Sequence, residues 1–426
     1  MENFSSYSII IVASIVVILS FLSGEISRKT NIPSVLMLIC LGILIKLGMT
    51  ILNIPEINFF PLLELLGIVG LIMIVLEAAL ELELKKEKLI PILKAFTVAI
   101  IGLPASALAA TFILRYFIPE MSVLNAWIYA TPISILSSAI IIPSVSRLSA
   151  VKKEFHIYES TFSDILGIML FYFLADKYNS HEGDANGTVM FFINLGITLV
   201  ISFIASYALI VVFQNIKTHI KLFLLISVLL LLYSIGKEMH FSSLVIILVF
   251  GLLIANMKLF FSGKIGKFLN PEKAKSVYDG LHILTGETAF IVRTFFFVIF
   301  GITIVLNTLT NDKVIIISAL ILLSIYLIRY VLLRIFIGKD IFQQIFIAPR
   351  GLITILLFYA IPEQAVTKDF NPGILLFIII ASGIFMTAAM VYTKQRVEKE
   401  IKKANEIKIG YQKWKAIKTD DFIDKK

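Results

Sequence analysis

The sequence predicts an all-helical integral membrane protein of about thirteen transmembrane helices, built as two inverted six-helix repeats. Three observations predict it. Of the 426 residues 58% are hydrophobic and only 16% charged, too little polar side chain to cover a soluble globule. Apolar runs of about 20 residues, the length that crosses the hydrocarbon core, recur along the chain as far as Thr393. Lys and Arg collect in alternate connections between those runs, the pattern of cytoplasmic loops.

The runs lie at about 6–24, 33–52, 61–84, 90–116, 124–148, 155–176, 188–214, 219–236, 241–259, 280–306, 314–338, 341–363 and 370–393. The first is read as a retained helix, because no basic stretch precedes it and no small-residue cleavage pattern follows. Connections after odd-numbered runs carry Arg28 and Lys29; Lys85, Lys86 and Lys88; Arg147, Lys152 and Lys153; Lys217 and Lys221; Lys258, Lys264, Lys267 and Lys273; Lys339; and Lys394 with Arg396. Those after even-numbered runs carry at most a lone Lys. The N-terminus is therefore expected outside and the C-terminus in the cytoplasm. This topology accounts for the net charge of +9 without a nucleic-acid partner; the partner implied is membrane lipid. An Ile-, Leu- and Lys-rich composition fits a prokaryote, hence its plasma (cell inner) membrane.

Cys40, the only cysteine, excludes a disulfide framework and a Cys-based metal site and reads as a small buried hydrophobe. The stretch from Lys258 to Asp279 is too polar to span and reads as an amphipathic cytoplasmic connector. Residues 398–426 form a charged cytoplasmic tail, too short for a nucleotide-binding domain.

An odd number of runs with consistent alternation suggests two inverted halves joined by one extra helix. Starting the second half at run eight gives an offset of about 210 residues. That offset maps the polar break Thr131 to Pro143 in run five onto Ala348-Pro349-Arg350-Gly351 in run twelve. In transporters with inverted repeats, interrupted helices occupy such corresponding positions and the substrate site lies between them.

Ionisable side chains at bilayer depth cost about 2.5–3.5 kcal/mol each on insertion scales, so each needs a partner, water or a function. Run six holds Glu159-Ser160-Thr161-Phe162-Ser163-Asp164. Ser160 and Asp164 are four apart and share a face, whereas Glu159 points about 140° away from Asp164. A carboxylate among hydroxyls suits a monovalent cation, whose hydration shell oxygen ligands replace. Burial raises a carboxylate's pKa and a bound cation lowers it, so one residue can hold either a proton or a cation. Glu159 reads as a structural acid, with Arg329 in run eleven and Arg350 in run twelve as candidate partners. Arg293 and Glu287 in run ten are read as pairing with neighbouring helices, and Glu77 lies near the cytoplasmic part of run three. Arg115, Lys94 and Arg334 lie near run ends and snorkel; His156 and His282 read as interfacial histidines. No phosphate loop, metal-spaced His or Glu pair, or nucleophile with its base is present, which argues against an enzyme.

Around run six the chain resembles the monovalent cation:proton antiporter family that includes archaeal and bacterial NhaP-type antiporters and animal sodium/proton exchangers. The resemblance extends along most of the chain. The family pattern E-S-x-x-N-D stands here as Glu159-Ser160-Thr161-Phe162-Ser163-Asp164, with Ser163 in place of Asn. LEAALELELKK around Glu77 is similar to the family's third-helix ending, and IAPRGLITILL with Arg350-Gly351 to its second broken helix. FFFVIFGI and FSSLVIILVFGLLIAN also look like family segments. The first broken helix carries Thr-Asp-Pro in the family, and here the aligned Ser137-Ser138-Ala139 has no acid.

The resemblance implies an NhaA-like antiporter fold, with crossed broken helices, in a transmembrane domain over residues 1–397. Panel helices would lie at about 6–84 and 219–306, and core helices at about 90–176 and 314–393. It implies that Asp164 binds the ion or the proton, with Ser160, Ser163 and a water-linked Glu77 around the cation. It implies a structural ion pair between Glu159 and Arg329, and broken-helix backbone at Ser137, Ser138, Arg350 and Gly351. The activity implied is exchange of Na⁺ for H⁺ by a homodimer joined through its panel domains, with no cofactor beyond the transported ions; with one titrating acid and Glu159 neutralised by Arg329, the simplest cycle is electroneutral. A serine pair at the first break is closer to glutathione-gated potassium effluxers, which keeps K⁺, and Li⁺ with it, as alternative cations. An organic-anion:sodium symporter of related architecture and a non-transporting sensor are the other readings.

Overall fold

The computed structural model describes residues 6–30, 32–51, 60–82, 84, 86–145, 148–179, 186–216, 221–238, 243–260, 271–304, 306–338 and 340–393. Every regular element among them is helical. The helices are α1 (Ser6–Thr30), α2 (Ser34–Ile51), α3 (Phe60–Glu81), α4 (Leu89–Phe117), α5 (Val123–Ser134), α6 (Ser138–Ser144), α7 (Ala150–Asn179) and α8 (Asn186–Phe213). They continue as α9 (Lys221–Glu238), α10 (Ser243–Ala255), α11 (Met257–Phe260), α12 (Pro271–Thr303), α13 (Asp312–Phe336), α14 (Phe342–Phe346), α15 (Leu352–Tyr359) and α16 (Gly373–Thr393).

By length and composition, 10 spans among the described residues can cross a membrane, counting α5 with α6 as one. They answer to runs one to seven, ten, eleven and thirteen. Run eight forms α9, whose 18 residues include Lys221, Lys237 and Glu238. Run nine forms a helix of only 13 residues, α10, ending where Asn256 is drawn away. Its Nδ2 donates to the Leu82 carbonyl at 2.7 Å and its Oδ1 accepts from the Leu84 amide at 2.6 Å, which ties off the end of α3. Run twelve is broken into α14 and α15.

The polar connector is shorter than expected. Pro271 opens α12 and Glu272 lies in its first turn; a proline at the first helical position and an acid near the positive end both favour a helix start there. The connector residues 261–270 lie outside the described residues, as do the tail 398–426 and Lys85, Arg147, Lys217, Lys339, Lys394 and Arg396 of the basic loops.

Two sets of helices pack together. In one, α12 lies against α2 and α3, and α10 against α3, α8 and α9. Gly42 and Gly301 allow α2 and α12 to touch along their backbones: a Cβ on Gly42 would stand 2.8 Å from the Gly301 Cα. Such small-residue contacts replace the hydrophobic driving force that lipid removes. In the other set, α4 packs against α5, α7 and α13. A shared apolar core joins the sets, with α15 reaching both α3 and α5. Large apolar side chains such as Ile11, Phe21, Ile204, Leu323 and Leu327 point outwards, as lipid solvation permits. Cys40 is also exposed, not buried as its apolar run suggested, because Leu38 and Ile39 take the inward face of α2.

Candidate functional site

Two extended segments cross at the centre of the second set. Helix α5 contains Pro132 and ends at Ser134; Ile135 leaves it with φ −70° and ψ 134°, and α6 begins only at Ser138. In the second break Pro349 biases Ala348 away from helical backbone, so α14 ends at Phe346 and α15 begins at Leu352. The segments are joined where the Ser137 amide donates to the Pro349 carbonyl at 3.0 Å. Gly351 is required by this approach, since a Cβ there would collide with the Ser137 hydroxyl and stand 2.9 Å from the Ile140 Cδ1.

Breaking two helices leaves carbonyls without partners, and Arg350 satisfies several. The residue is 1% exposed, and its guanidinium donates to the carbonyls of Ile133 at 2.9 Å, Ser134 at 3.3 Å and Ala348 at 2.5 Å. A cation at the C-terminal ends of α5 and α14 is also favoured by their dipoles. The Arg350 amide donates to the Ser382 hydroxyl at 3.1 Å, which fixes the second break to α16.

Helix α7 runs beside the crossing. The Ser163 hydroxyl accepts from the Leu136 amide at 3.0 Å, holding the first break in its extended form. Asp164, the next residue, is buried, and neither carboxylate oxygen has a hydrogen-bond partner. Its neighbour is Ser138, whose amide and hydroxyl both lie close enough to act on the carboxylate without forming a hydrogen bond to it. The Ser138 hydroxyl is likewise buried and unpartnered. The Ser160 hydroxyl donates to its own helix, to the Ile157 carbonyl at 3.2 Å.

Glu159 faces the other way. Arg329 grips it with a two-pronged fork, Nη1 to Oε1 at 2.6 Å and Nη2 to Oε2 at 2.9 Å, and donates through Nε to the Gln344 carbonyl at 3.1 Å. Of the two candidate arginines, Arg329 is thus the partner. His156 also reaches the carboxylate, Nδ1 to Oε2 at 3.1 Å, and is fully buried. Sequence reading had placed it at the interface; its i, i+3 spacing to Glu159 on one helix face was the available signal.

Glu77 is paired with Arg293, Oε1 to Nη2 at 3.5 Å, and not with Asp164. Arg293 also donates to the Ala139 carbonyl at 3.4 Å, linking α3 to α6. Glu287 is exposed. His282 is partly exposed and meets Glu81 at 3.2 Å. Lys94, Arg115 and Arg334 are exposed, as snorkelling requires. Among the described residues no three His, Cys, Asp or Glu side chains converge on a metal-sized site.

The fold has known counterparts. Residues 12–407 match the family described as "Sodium/hydrogen exchanger, transmembrane". No curated protein matches the sequence. Among solved structures, the chain is similar to the sodium proton antiporter MjNhaP1 of Methanocaldococcus jannaschii at pH 8. The TM-score is 0.67 at 20% identity, covering 90% of this chain and 95% of that one. An electron-microscopy map of the same antiporter gives a TM-score of 0.65 at 18% identity, covering 91% and 96%. At such identity the likeness speaks for the fold, and the match along nearly the whole sequence speaks for descent: the chain belongs to the sodium/hydrogen exchanger family.

Proposed function

We propose that this protein exchanges a monovalent cation, Na⁺ before others, for protons, with Asp164 as the group both compete for. One observation carries the reading: a buried carboxylate, with neither oxygen hydrogen-bonded, faces an equally unpartnered hydroxyl, Ser138, beside the crossing of two broken helices. Buried polar atoms are nearly always satisfied, so two orphans side by side mark a place for a proton or a small cation. Ser138 is thereby a ligand in its own right, beyond the backbone role its position suggested. Ser160 and Ser163 line the same helix, and water links Glu77 to the site through the Arg293 neighbourhood.

The helices packed around α4, α7 and α13 serve as the mobile core, and those around α2, α3, α10 and α12 as the panel through which two copies join. Glu159, neutralised by Arg329, takes no part in charge movement, so one proton exchanges for one cation without net current. The protein sits in the plasma membrane with its N-terminus outside, and it uses no cofactor. K⁺ is the second candidate cation, favoured by the uncharged Ser137-Ser138 pair.

The test is cation-dependent proton flux in liposomes with a trapped pH dye, comparing wild type with Asp164→Asn under Na⁺, K⁺ and Li⁺ pulses. Flux that the substitution abolishes supports the reading and names the ion. Undiminished flux in Asp164→Asn removes it.

A further inference from the structure

Behind the crossing, between α4 and α13, lies a cleft with polar walls made by Ser106, Ser134, Ser163, Glu159, Arg329 and Arg350. It has room for about two or three waters. Its charge is unbalanced. Among the described residues Glu159 is the only acid lining it, and Arg329 already occupies both of that acid's oxygens, with His156 adding a further contact. The Arg350 guanidinium donates only to carbonyls and has no carboxylate partner among the described residues. A guanidinium has five N–H donors; each arginine uses three on protein acceptors, which leaves each with two.

Buried charges are ordinarily paired. Helix ends of both signs meet at the crossing and offset one another, so the formal charges there are Arg350 and Asp164, with Glu159 cancelled by Arg329. The sum is neutral while Asp164 is ionised and empty. A cation arriving at Asp164 leaves one positive charge in excess, beside the uncharged Ser138. The cleft adjoins that charge through Ser163, the residue before Asp164, and its unused donors suit an anion.

We propose that this cleft binds a small monovalent anion of the chloride type, and that anion and cation bind cooperatively. The cooperative half rests on Asp164 being the cation site; the binding half does not. Ser106 and Ala99, both on α4, shape the cleft and belong to no other part of the site, so Ser106→Leu and Ala99→Leu fill it.

The experiment uses the full chain. Thermal unfolding in mild detergent is compared in sodium chloride, sodium bromide and sodium gluconate at equal Na⁺ and ionic strength. A saturable rise in Tm with either halide, absent in gluconate and lost in at least one of the two cleft-filling variants, is expected. In liposomes with the same salt on both sides, the Na⁺ concentration for half-maximal proton flux is expected to be at least about fivefold lower in chloride than in gluconate. A Tm that ignores the anion, a halide shift that survives in both filled variants, or coinciding Na⁺ midpoints would overturn the proposal. Absence of flux in every salt would remove the exchange reading instead, while the unfolding measurement would still decide whether the cleft holds an anion.

Discussion

Arg329 holds both oxygens of Glu159 with a fork of 2.6 and 2.9 Å, and both side chains are more than nine-tenths buried. The pair joins α7 to α13, both of which contribute to the lining of the cleft. Removing one member strands the other charge, which costs about 3–5 kcal/mol, whereas replacing both with apolar groups costs far less. Arg329→Ala is therefore expected to lower Tm sharply in detergent, and Glu159→Leu with Arg329→Leu to recover most of the loss. A double variant as unstable as the single one would mean that the Arg329 bond to Gln344, not the ion pair, holds the helices.

Competition at one carboxylate fixes a slope. If a single proton and a single cation contend for Asp164, the Na⁺ concentration for half-maximal exchange rises about tenfold for each unit fall in pH. Initial-rate measurements across pH in liposomes give that slope directly. A slope of two would bring in a second coupled acid, and Glu77 beside Arg293 is the one placed to supply it.

Ser138 and Ser163 make opposite predictions although both are buried hydroxyls at the first break. Ser163 accepts from the Leu136 amide, so Ser163→Ala leaves a buried donor unsatisfied and costs stability by about 1–3 kcal/mol. The Ser138 hydroxyl has no hydrogen bond to lose. Ser138→Ala is expected to leave Tm unchanged and to raise the half-saturating cation concentration about tenfold, the value of one ligand to a charged group. Parallel Tm and flux measurements separate the two.

Some of this architecture was legible in the sequence because lipid imposes a simple rule on it. Long apolar runs became helices, and the polar breaks at Ser137 and Pro349 came together. That Glu159 needs a basic partner was legible because an acid at bilayer depth must find one, but this left Arg329 and Arg350 equally open, and only the family resemblance named Arg329. Other features depended on contacts that no periodicity encodes. Asn256 shortens α10 by bonding to the end of α3, a segment far away in sequence. Glu77 is drawn to Arg293, whose own direction depends on the Ala139 carbonyl. His156 near a helix start resembles any interfacial histidine until the fold buries it against Glu159.

The crossing itself tolerates no added bulk on its glycine. Gly351 adopts an extended backbone, φ −160°, which any residue can take, so the restriction is one of space alone. A Cβ there would meet the hydroxyl and Cβ of Ser137 and the Cδ1 of Ile140. Gly351→Ala is expected to cost about 1–3 kcal/mol by overpacking and to pry the two breaks apart at the Ser137–Pro349 hydrogen bond. Because the strain is local, Ser137→Gly in the same chain removes two of the three colliding atoms and is expected to restore much of the lost Tm. Exchange activity should return with it only if Ser137 contributes backbone, and not its hydroxyl, to the site. Recovery of Tm without recovery of flux would instead assign the Ser137 side chain a direct place beside Ser138 around the ion.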